Sequence, residues 1–469
     1  MVGDEDQSIY GFRAAYPEAL LTFEKNYPDA KVLLMEENFR SDARIVLAAD
    51  RFIQKNTLRH EKHMKAARKP ASDIREISLR SRKAQYTYLA KLAEGCTSQT
   101  AILYRDNECI LPLVDLLERN GIPYQMRNAE LSFFSHRTIL DIINIIKLAQ
   151  NPMDTEAFLQ IYYKIGTYLR KQDAIRIARI SEEKRIPVLD VAAEDPDLNG
   201  HVLGSVRSMW THLQNLLQDS GERALYRIMQ YMGYQEYLNR SGLSDSKLEI
   251  LRILGSRADS PMELAERLEQ LKVLIREKEP DRKCPLILST IHASKGLEYD
   301  SVYLIDVADG ILPESIPQNL HQASAEELKA YEEERRLFYV GVTRAKDHLT
   351  LFTTNRPSTF CSEFLGKSSV TEEGRKNLMP VESRISRTFK QARPYAAVAG
   401  IRQTKASEEL YFRLKEELGT GVIVEHKKYG EGVVTQLDDR LVHIMFQDDT
   451  LRMMDLKILA NAGLLKVKK

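Results

Sequence analysis

Two short runs, residues 285–291 (PLILSTI) and 301–306 (SVYLID), constrain this chain more than any other feature. Both are too continuously apolar for a strand with one face in water, so they belong at the centre of a sheet covered on both sides, as parallel strands are in α/β folds. Residues 100–104 (TAILY) form a third such run, and an amphipathic helix through Leu113, Leu116 and Leu117 follows, stopping at Asn120-Gly121. Strand and helix alternate, so the expected class is α/β with a parallel sheet. Residues 31–35 (KVLLM) read as one more strand, leading to a helix through Ile45, Ala48 and Phe52. From about Asn151 to Pro280 the strand signal gives way to helices. Ser260-Pro261-Met262-Glu263 is a capping box with proline at the first helical position, and Leu264, Leu268, Leu271 and Ile275 mark one apolar face. One α/β domain is therefore split by an all-helical insertion. Residues 366–418 are charged and weakly patterned, as in a linker, and residues 419–469 alternate short strands with turns, as in a small β-barrel.

A length of 469 residues is enough for two to four domains. Sixty-eight Lys and Arg against 67 Asp and Glu leave a net charge of +1, so anionic ligands must be met by local patches rather than by a whole-molecule field. Residues 51–69 hold one such patch, with seven Lys or Arg and the single acid Glu61. It reads as a nucleic-acid-facing edge or as a solvated helix face, the second being the commoner case. No apolar run approaches the roughly 20 residues of a membrane span, and the first ten residues carry acids where a signal peptide is basic and then greasy. Cys96, Cys109, Cys284 and Cys361 lie far apart with no CxxC pair, which argues against zinc and against a disulfide framework. A chain neither inserted nor exported, in a reducing cytoplasm, is expected.

Residues 332–352 (EEERRLFYVGVTRAKDHLTLF) read as a helix followed by a strand. On a helical wheel Arg344 falls between Val340 and Gly341 and beneath Leu337, inside the apolar stripe. A buried guanidinium needs an anion, either the carboxylate of Glu333 or Glu334 or a phosphate. The run at 285–291 leads into His292-Ala293-Ser294-Lys295-Gly296-Leu297-Glu298, and ligands of open α/β sheets bind outside the carboxyl ends of strands. Lys295 beside Gly296 can reach a phosphate and Glu298 can accept from a sugar hydroxyl, although this loop lacks the GxxxxGK[ST] pattern. Gly366-Lys367-Ser368 has Cys361 in place of the first required glycine and no strand before it, so it reads as a decoy. At the start, Met1-Val2 resembles the end of a buried strand running into acids and Gln7, with Tyr10, Phe12 and Arg13 close behind. Aromatics beside an arginine suit stacking on single-stranded bases, or else belong to an ordinary core.

Taken together, the segments resemble the UvrD/PcrA/Rep family of superfamily 1 DNA helicases. Residues 3–13 (GDEDQSIYGFR) are similar to its third motif, 37–41 (ENFRS) to its fourth, 289–300 (STIHASKGLEYD) to its fifth and 332–345 (EEERRLFYVGVTRA) to its sixth. Residues 101–107 (AILYRDN) resemble motif IVa, and residues 421–434 (GVIVEHKKYGEGVV) the Tudor-like tail of the PcrA branch. The resemblance implies a remnant of the first RecA-like domain (1A) over 1–30 and a second RecA-like domain (2A) over 31–150 and 284–365. It further implies a helical insertion (2B) over 151–283, a linker over 366–418 and a Tudor-like barrel over 419–469.

It also implies roles. Gln7 senses the γ-phosphate of ATP, Phe39 stacks on adenine, Arg40 and Arg344 hold the γ-phosphate as paired fingers, and Glu298 meets the ribose or the phosphate-bearing end. Tyr10, Phe12, Arg13, Asn107 and His292 line a single-stranded DNA track. In the family the Walker A lysine and the Mg²⁺ ligands precede the third motif, where this sequence starts. The expectation is therefore the C-terminal part of an ATP-dependent 3′→5′ DNA helicase from a bacterial cytoplasm, with no metal ligands in these residues and no turnover by them alone. Expected partners are single-stranded DNA, single-strand/duplex junctions and, through the barrel, RNA polymerase. Two departures stand out: Ala14-Ala15 where Gly-Ala is usual, and Lys164-Ile165-Gly166-Thr167 in place of a glycine-bearing hairpin. A binding module without turnover is the alternative, and the helicase subunit of a recombination nuclease is a third, less favoured because no acidic cluster follows Ala345.

Overall fold

The computed structural model describes residues 2–10, 18–29, 31–126, 132–242, 246–279, 281, 283–317, 319–320, 322–356 and 358–367; further on it describes 414, 418, 422–427, 429–437, 441–446, 451–455, 459 and 465–467. They divide into two compact units, residues 1–378 and 379–469.

In the first unit, β1 (Glu37–Asn38) and β2 (Lys65–Ala66) make a short parallel pair. The main sheet consists of β3 (Arg75–Leu79), β4 (Thr100–Tyr104), β5 (Gln125–Met126), β6 (Leu286–Thr290), β7 (Tyr299–Leu304) and β8 (Ala345–Thr354), in the order β3-β8-β7-β4-β6-β5. Every pairing in it is parallel. β4 and β6 are buried along their whole length, which is why their sequences show no alternation. The two-residue period appears instead in which core each side chain joins: Ile102 and Tyr104 face one, Ala101 and Leu103 the other.

Helices cover both faces. α1 (Ala43–Ile53) begins at Asp42, whose carboxylate accepts from the Arg44 N–H, and buries Ile45, Ala48, Ala49 and Phe52 on one stripe. α2 (Arg82–Ala93) and α3 (Leu111–Arg119) pack on the opposite face. Between β5 and β6 come α4 (Arg137–Gln150), α5 (Thr155–Ile161), α6 (Lys171–Lys184), α7 (Val188–Ala193), α8 (Gly200–Leu216), α9 (Gly221–Gln230), α10 (Tyr234–Ser241), α11 (Ser246–Gly255) and α12 (Pro261–Glu277). Their apolar sides run without a break into those of α2, α3, β4 and β6, making one core. α13 (Ala325–Val342) and α14 (Thr359–Phe364) join α1 on the other face, where Phe52, Phe338, Phe360 and Phe364 interlock.

Several expectations are corrected. Residues 31–36 are neither strand nor helix, and Leu33 and Met35 are more than three-quarters exposed; no strand among the described residues pairs with this stretch, and an apolar run without a backbone partner is no strand. Val2 is 93% exposed, and Glu5–Gln7 is a 3₁₀ turn rather than the end of a strand, its Asp6 N–H taken by the Asp4 side chain. At α12 the Ser260 hydroxyl does accept from the Glu263 N–H, but the Glu263 carboxylate reaches past it to the Asp259 N–H. The complete reciprocal box caps α13, between Ser324 and Glu327.

The second unit holds β9 (Ile423–His426), β10 (Gly430–Leu437), β11 (Leu441–Phe446), β12 (Leu451–Asp455) and β13 (Leu465–Val467). They form an antiparallel sheet in the order β12-β11-β10-β9-β13 around Val424, Val434, Val442 and Ile444. Most of the expected linker, residues 368–413, lies outside the described residues.

Candidate functional site

Arg344 lies beyond the end of α13, in the two-residue connection to β8, so the helical wheel gave it the wrong element. The predicted burial holds: Arg344 is 1% exposed. Its Nε donates to the Val340 carbonyl (2.9 Å), Nη1 to the Leu297 carbonyl (3.1 Å), and Nη2 to Thr343 Oγ1 (3.2 Å) and Gln7 Oε1 (3.3 Å). All are neutral oxygens. Glu334 is taken by Arg105 at 2.8 Å, and no carboxylate among the described residues pairs with Arg344. Partial negative charge from the α13 carboxyl end is what the fold offers instead. Burial first, and then the charge of Arg40, pull this guanidinium down to about 10.

Arg40 supplies the second cation. Its Nε donates to Glu298 Oε2 (2.8 Å), and its Nη1 and Nη2 have no hydrogen-bond partner among the described residues. Lys346 Nζ lies 3.3 Å from the other Glu298 oxygen. These contacts, Arg40 first, hold the Glu298 carboxyl below its ordinary range. Phe39, next to Arg40, is 71% exposed. The segment is fixed from behind: Asn38 Oδ1 accepts from the Arg40 and Ser41 N–H groups, and Ser41 Oγ donates to the Ala345 carbonyl (2.6 Å).

Gln7, predicted from sequence, thus meets Arg344, and its Nε2 donates to Asp4 Oδ2 (2.6 Å). The acids around it resolve the basic run at 51–69 in a way neither reading anticipated. Arg59 forks onto Asp6 (3.0 and 2.9 Å), Lys62 Nζ sits 2.8–3.3 Å from Asp4, Glu5 and Asp6, and Arg68 reaches Asp347 (2.5 Å). Much of the patch is spent inside the molecule. Sequence separation hid these partners, since no local rule pairs residue 6 with residue 59. Lys346 was likewise missed, although its position two residues after Arg344 was the available signal.

Tyr10 and His292 come together: the Tyr10 hydroxyl donates to the His292 carbonyl (3.2 Å), and the rings are 6.0 Å apart. Lys295 Nζ lies 5.2 Å from the Tyr10 ring, its pKa lowered mainly by burial. Asn107 opens a 3₁₀ turn after β4, the strand beside β6, and its buried Oδ1 has no partner among the described residues. Phe12 and Arg13 lie outside the described residues. The two sets of residues occupy opposite edges of the sheet. Glu298 and Arg344 immediately precede β7 and β8 and are linked there by the Tyr299 N–H to the Arg344 carbonyl (2.9 Å), whereas His292 and Asn107 follow the carboxyl ends of β6 and β4. The carboxyl-end rule therefore misplaces half of the site. Residues 7–10 and 292–298 each run from one edge to the other.

Lys367 of the decoy pairs with Glu76. In the 164–167 turn, Lys164 points inward onto Asp141 (2.5 Å), which also accepts from the Tyr234 hydroxyl (2.8 Å). Among the described residues no three His, Cys, Asp or Glu side chains are arranged to hold a metal ion, and no helix is long and apolar enough to cross a membrane. All four cysteines are free. Chemically, the amino-edge cluster offers a buried guanidinium without a counter-ion, a second with both terminal nitrogens open, and an exposed aromatic ring. That set fits a ligand with a multiply charged anionic end and a flat base.

Comparison with known proteins gives consistent results. The family model described as UvrD-like helicase C-terminal domain matches residues 33–201 and 251–356, and that of the UvrD/REP helicase N-terminal domain matches residues 1–28. The chain is 30% identical to YjcD of Bacillus subtilis over 367 residues, 75% of this chain and 47% of YjcD. It is 26% identical to the ATP-dependent DNA helicase PcrA of Staphylococcus epidermidis over 475 residues, 94% of this chain and 62% of PcrA. With the ATP-dependent DNA helicase Rep of Escherichia coli it shares 29% over 395 residues, 77% of this chain and 56% of Rep. The chain thus spans about half to three-fifths of the curated relatives it matches.

Proposed function

The chain belongs to the UvrD/PcrA/Rep family of superfamily 1 helicases, and from that premise we propose that it is the C-terminal portion of an ATP-dependent DNA helicase that moves 3′→5′ on single strands and unwinds duplex at junctions. The observation that carries this reading is Arg344, a buried guanidinium given neutral acceptors and no carboxylate. Such a group is costly until an anion arrives. In this proposal the γ-phosphate of ATP is that anion. Arg40, held by Glu298 through Nε alone, turns its two free nitrogens to the same phosphate, and Phe39 stacks on the adenine. Glu298 also faces the ribose end, and Gln7 links the phosphate to residues 8–10. Charge that develops as the phosphoryl group transfers is met by two fixed guanidiniums, the arrangement phosphoryl transfer demands.

Tyr10, His292 and Asn107, with Phe12 and Arg13, would carry single-stranded DNA along the carboxyl edge. Residues 7–10 and 292–298 touch both sites, which supports coupling of nucleotide state to DNA grip. The acids at 4–6 are engaged by Arg59 and Lys62 and are not offered to Mg²⁺, and the 469 residues alone are proposed not to turn ATP over. We assign 31–150 and 284–365 to the second RecA-like domain, 151–283 to the helical insertion and 419–469 to a Tudor-like module. RNA polymerase would meet that module through exposed Lys427 and half-buried Tyr429; His426, stacked 4.7 Å from Tyr429, is only 4% exposed and takes no part in such a face.

The test is DNA-stimulated ATP hydrolysis by the full-length gene product. Arg344→Ala or Arg40→Ala should lower kcat by about 10³-fold or more with KM within a few-fold, because fingers act on the transition state. Phe39→Ala should mainly raise KM. Equal effects of all three on KM, with kcat retained, would remove the finger assignment.

A further inference from the structure

Lys62 is 9% exposed, and its ammonium is the first member of a chain of contacts that ends on Arg344. Lys62 Nζ donates to Asp4 Oδ1 (2.8 Å), Asp4 Oδ2 accepts from Gln7 Nε2 (2.6 Å), and Gln7 Oε1 accepts from Arg344 Nη2 (3.3 Å). Each link sets the next. A carboxamide has one accepting and one donating end of nearly equal shape, so nothing in its size decides which end meets the guanidinium. The Asp4 carboxylate, which can only accept, takes the NH₂ end and leaves the oxygen for Arg344. Turned the other way, the amide would set donor against donor at Arg344 and acceptor against acceptor at Asp4.

Lys62 in turn holds Asp4, whose side chain is one-third exposed and whose Oδ1 is tied besides, among the described residues, only by the Asp6 N–H (3.1 Å). Arg59 does not substitute for it, since Arg59 forks onto Asp6. Burial lowers the pKa of Lys62 and the neighbouring acids raise it, with a net rise, so its ammonium stays charged at neutral pH. The same stretch of chain also grips the second finger: Arg68 Nη1 donates to the carbonyls of Arg40 (2.6 Å) and Lys346 (3.1 Å).

We propose that Lys62 is a positioning residue of the nucleotide site, acting through Asp4 and the Gln7 amide to set the direction of the Arg344 guanidinium. Residues 59–68 then serve as a bracket that holds both arginines in register. The inference rests on the reading of Gln7 and Arg344 as the γ-phosphate side of that site.

Lys62→Met keeps the length of the side chain and removes its charge. In crystals of this chain carrying Lys62→Met, the Asp4–Gln7 or the Gln7–Arg344 contact should open beyond about 3.5 Å. In the full-length product the variant should lose about 10²-fold in kcat, the scale of a small misplacement, with KM for ATP within about threefold. Lys62→Arg should restore most of it. Asp4→Asn, which keeps the shape but adds a donor facing Gln7, should reproduce the loss if Lys62→Met folds poorly. Unchanged contacts in the crystals, or a kcat within about threefold of wild type, would overturn the proposal. A wild-type product with no nucleotide turnover would instead reject the functional reading, and the crystallographic result would still decide the relay.

Discussion

Replacing Arg344 by methionine separates what the guanidinium costs from what it does. Its pKa is pulled down to about 10 in the folded chain. At 1.36 kcal/mol per pH unit, the fall from the ordinary arginine range amounts to roughly 3 kcal/mol against the charged form. Methionine removes that penalty and leaves four acceptors without this donor. The Val340 carbonyl also receives the Thr343 hydroxyl at 3.1 Å, and the Gln7 amide is only half-buried, so the main loss is the Leu297 carbonyl, about 1–2 kcal/mol. The variant should therefore be as stable as the wild-type chain, or more stable by about 1–2 kcal/mol. Truncating one member of a buried ion pair would instead cost about 3–5 kcal/mol.

Urea unfolding followed through the single tryptophan, Trp210, reads the right unit, because that side chain packs against the core shared by the sheet and the inserted helices. Pyrophosphate should raise the wild-type midpoint and leave that of Arg344→Met unmoved. The pH dependence has a definite sign. The folded-state pKa of this base is depressed, so the penalty is complete well below pH 10 and fades as pH rises through 10, narrowing the gap between the two proteins. A loss of 3 kcal/mol or more in the variant, with no response of the wild type to pyrophosphate, would refute the reasoning.

Asp115 on α3 is 1% exposed and accepts from Arg119 (3.0 Å), Arg257 (3.3 Å) and Arg267 (2.6 Å), so Asp115→Ala should destabilise the first unit by about 3–5 kcal/mol in the same urea experiment. A loss under about 1 kcal/mol would mean the three arginines are satisfied without it. Deleting residues after Gly419 from the full-length product should leave unwinding intact and abolish co-purification of RNA polymerase; lost unwinding with polymerase retained would reverse the assignment of the C-terminal unit.

The central strands were legible because continuous burial writes itself as continuous apolarity. β4 was predicted to the residue, and β6 lies inside the predicted run. β7 begins two residues before its predicted run. The same signal failed at 31–35, where apolar residues are exposed, because hydropathy records a preference and not the presence of a partner strand. Arg344 was legible as a buried cation in need of an anion even though its element was misjudged, since burial depends on its neighbours more than on where the helix stops. Arg59, Lys62 and Lys346 were not, because each acquires its meaning from a carboxylate distant in sequence. The basic run shows the limit most plainly: composition counted its charges, and only the fold could say that acids at 4–6 had claimed several of them.

One core runs from the sheet-facing sides of α2 and α3 into the inserted helices, and this has a consequence for how such a chain can diverge. An insertion joined to its host only by two connecting strands of chain could be exchanged between relatives as a cassette, with both parts keeping their own histories. Here Leu113, Val114 and Leu117 of the host face the same interior as Leu251, Leu254 and Leu264 of the insertion. A substitution on either side alters the volume the other must fill. Sequence change in the inserted helices is thus tied to change in α2 and α3, and a graft of residues 151–283 succeeds only if it brings the matching faces of those two helices with it.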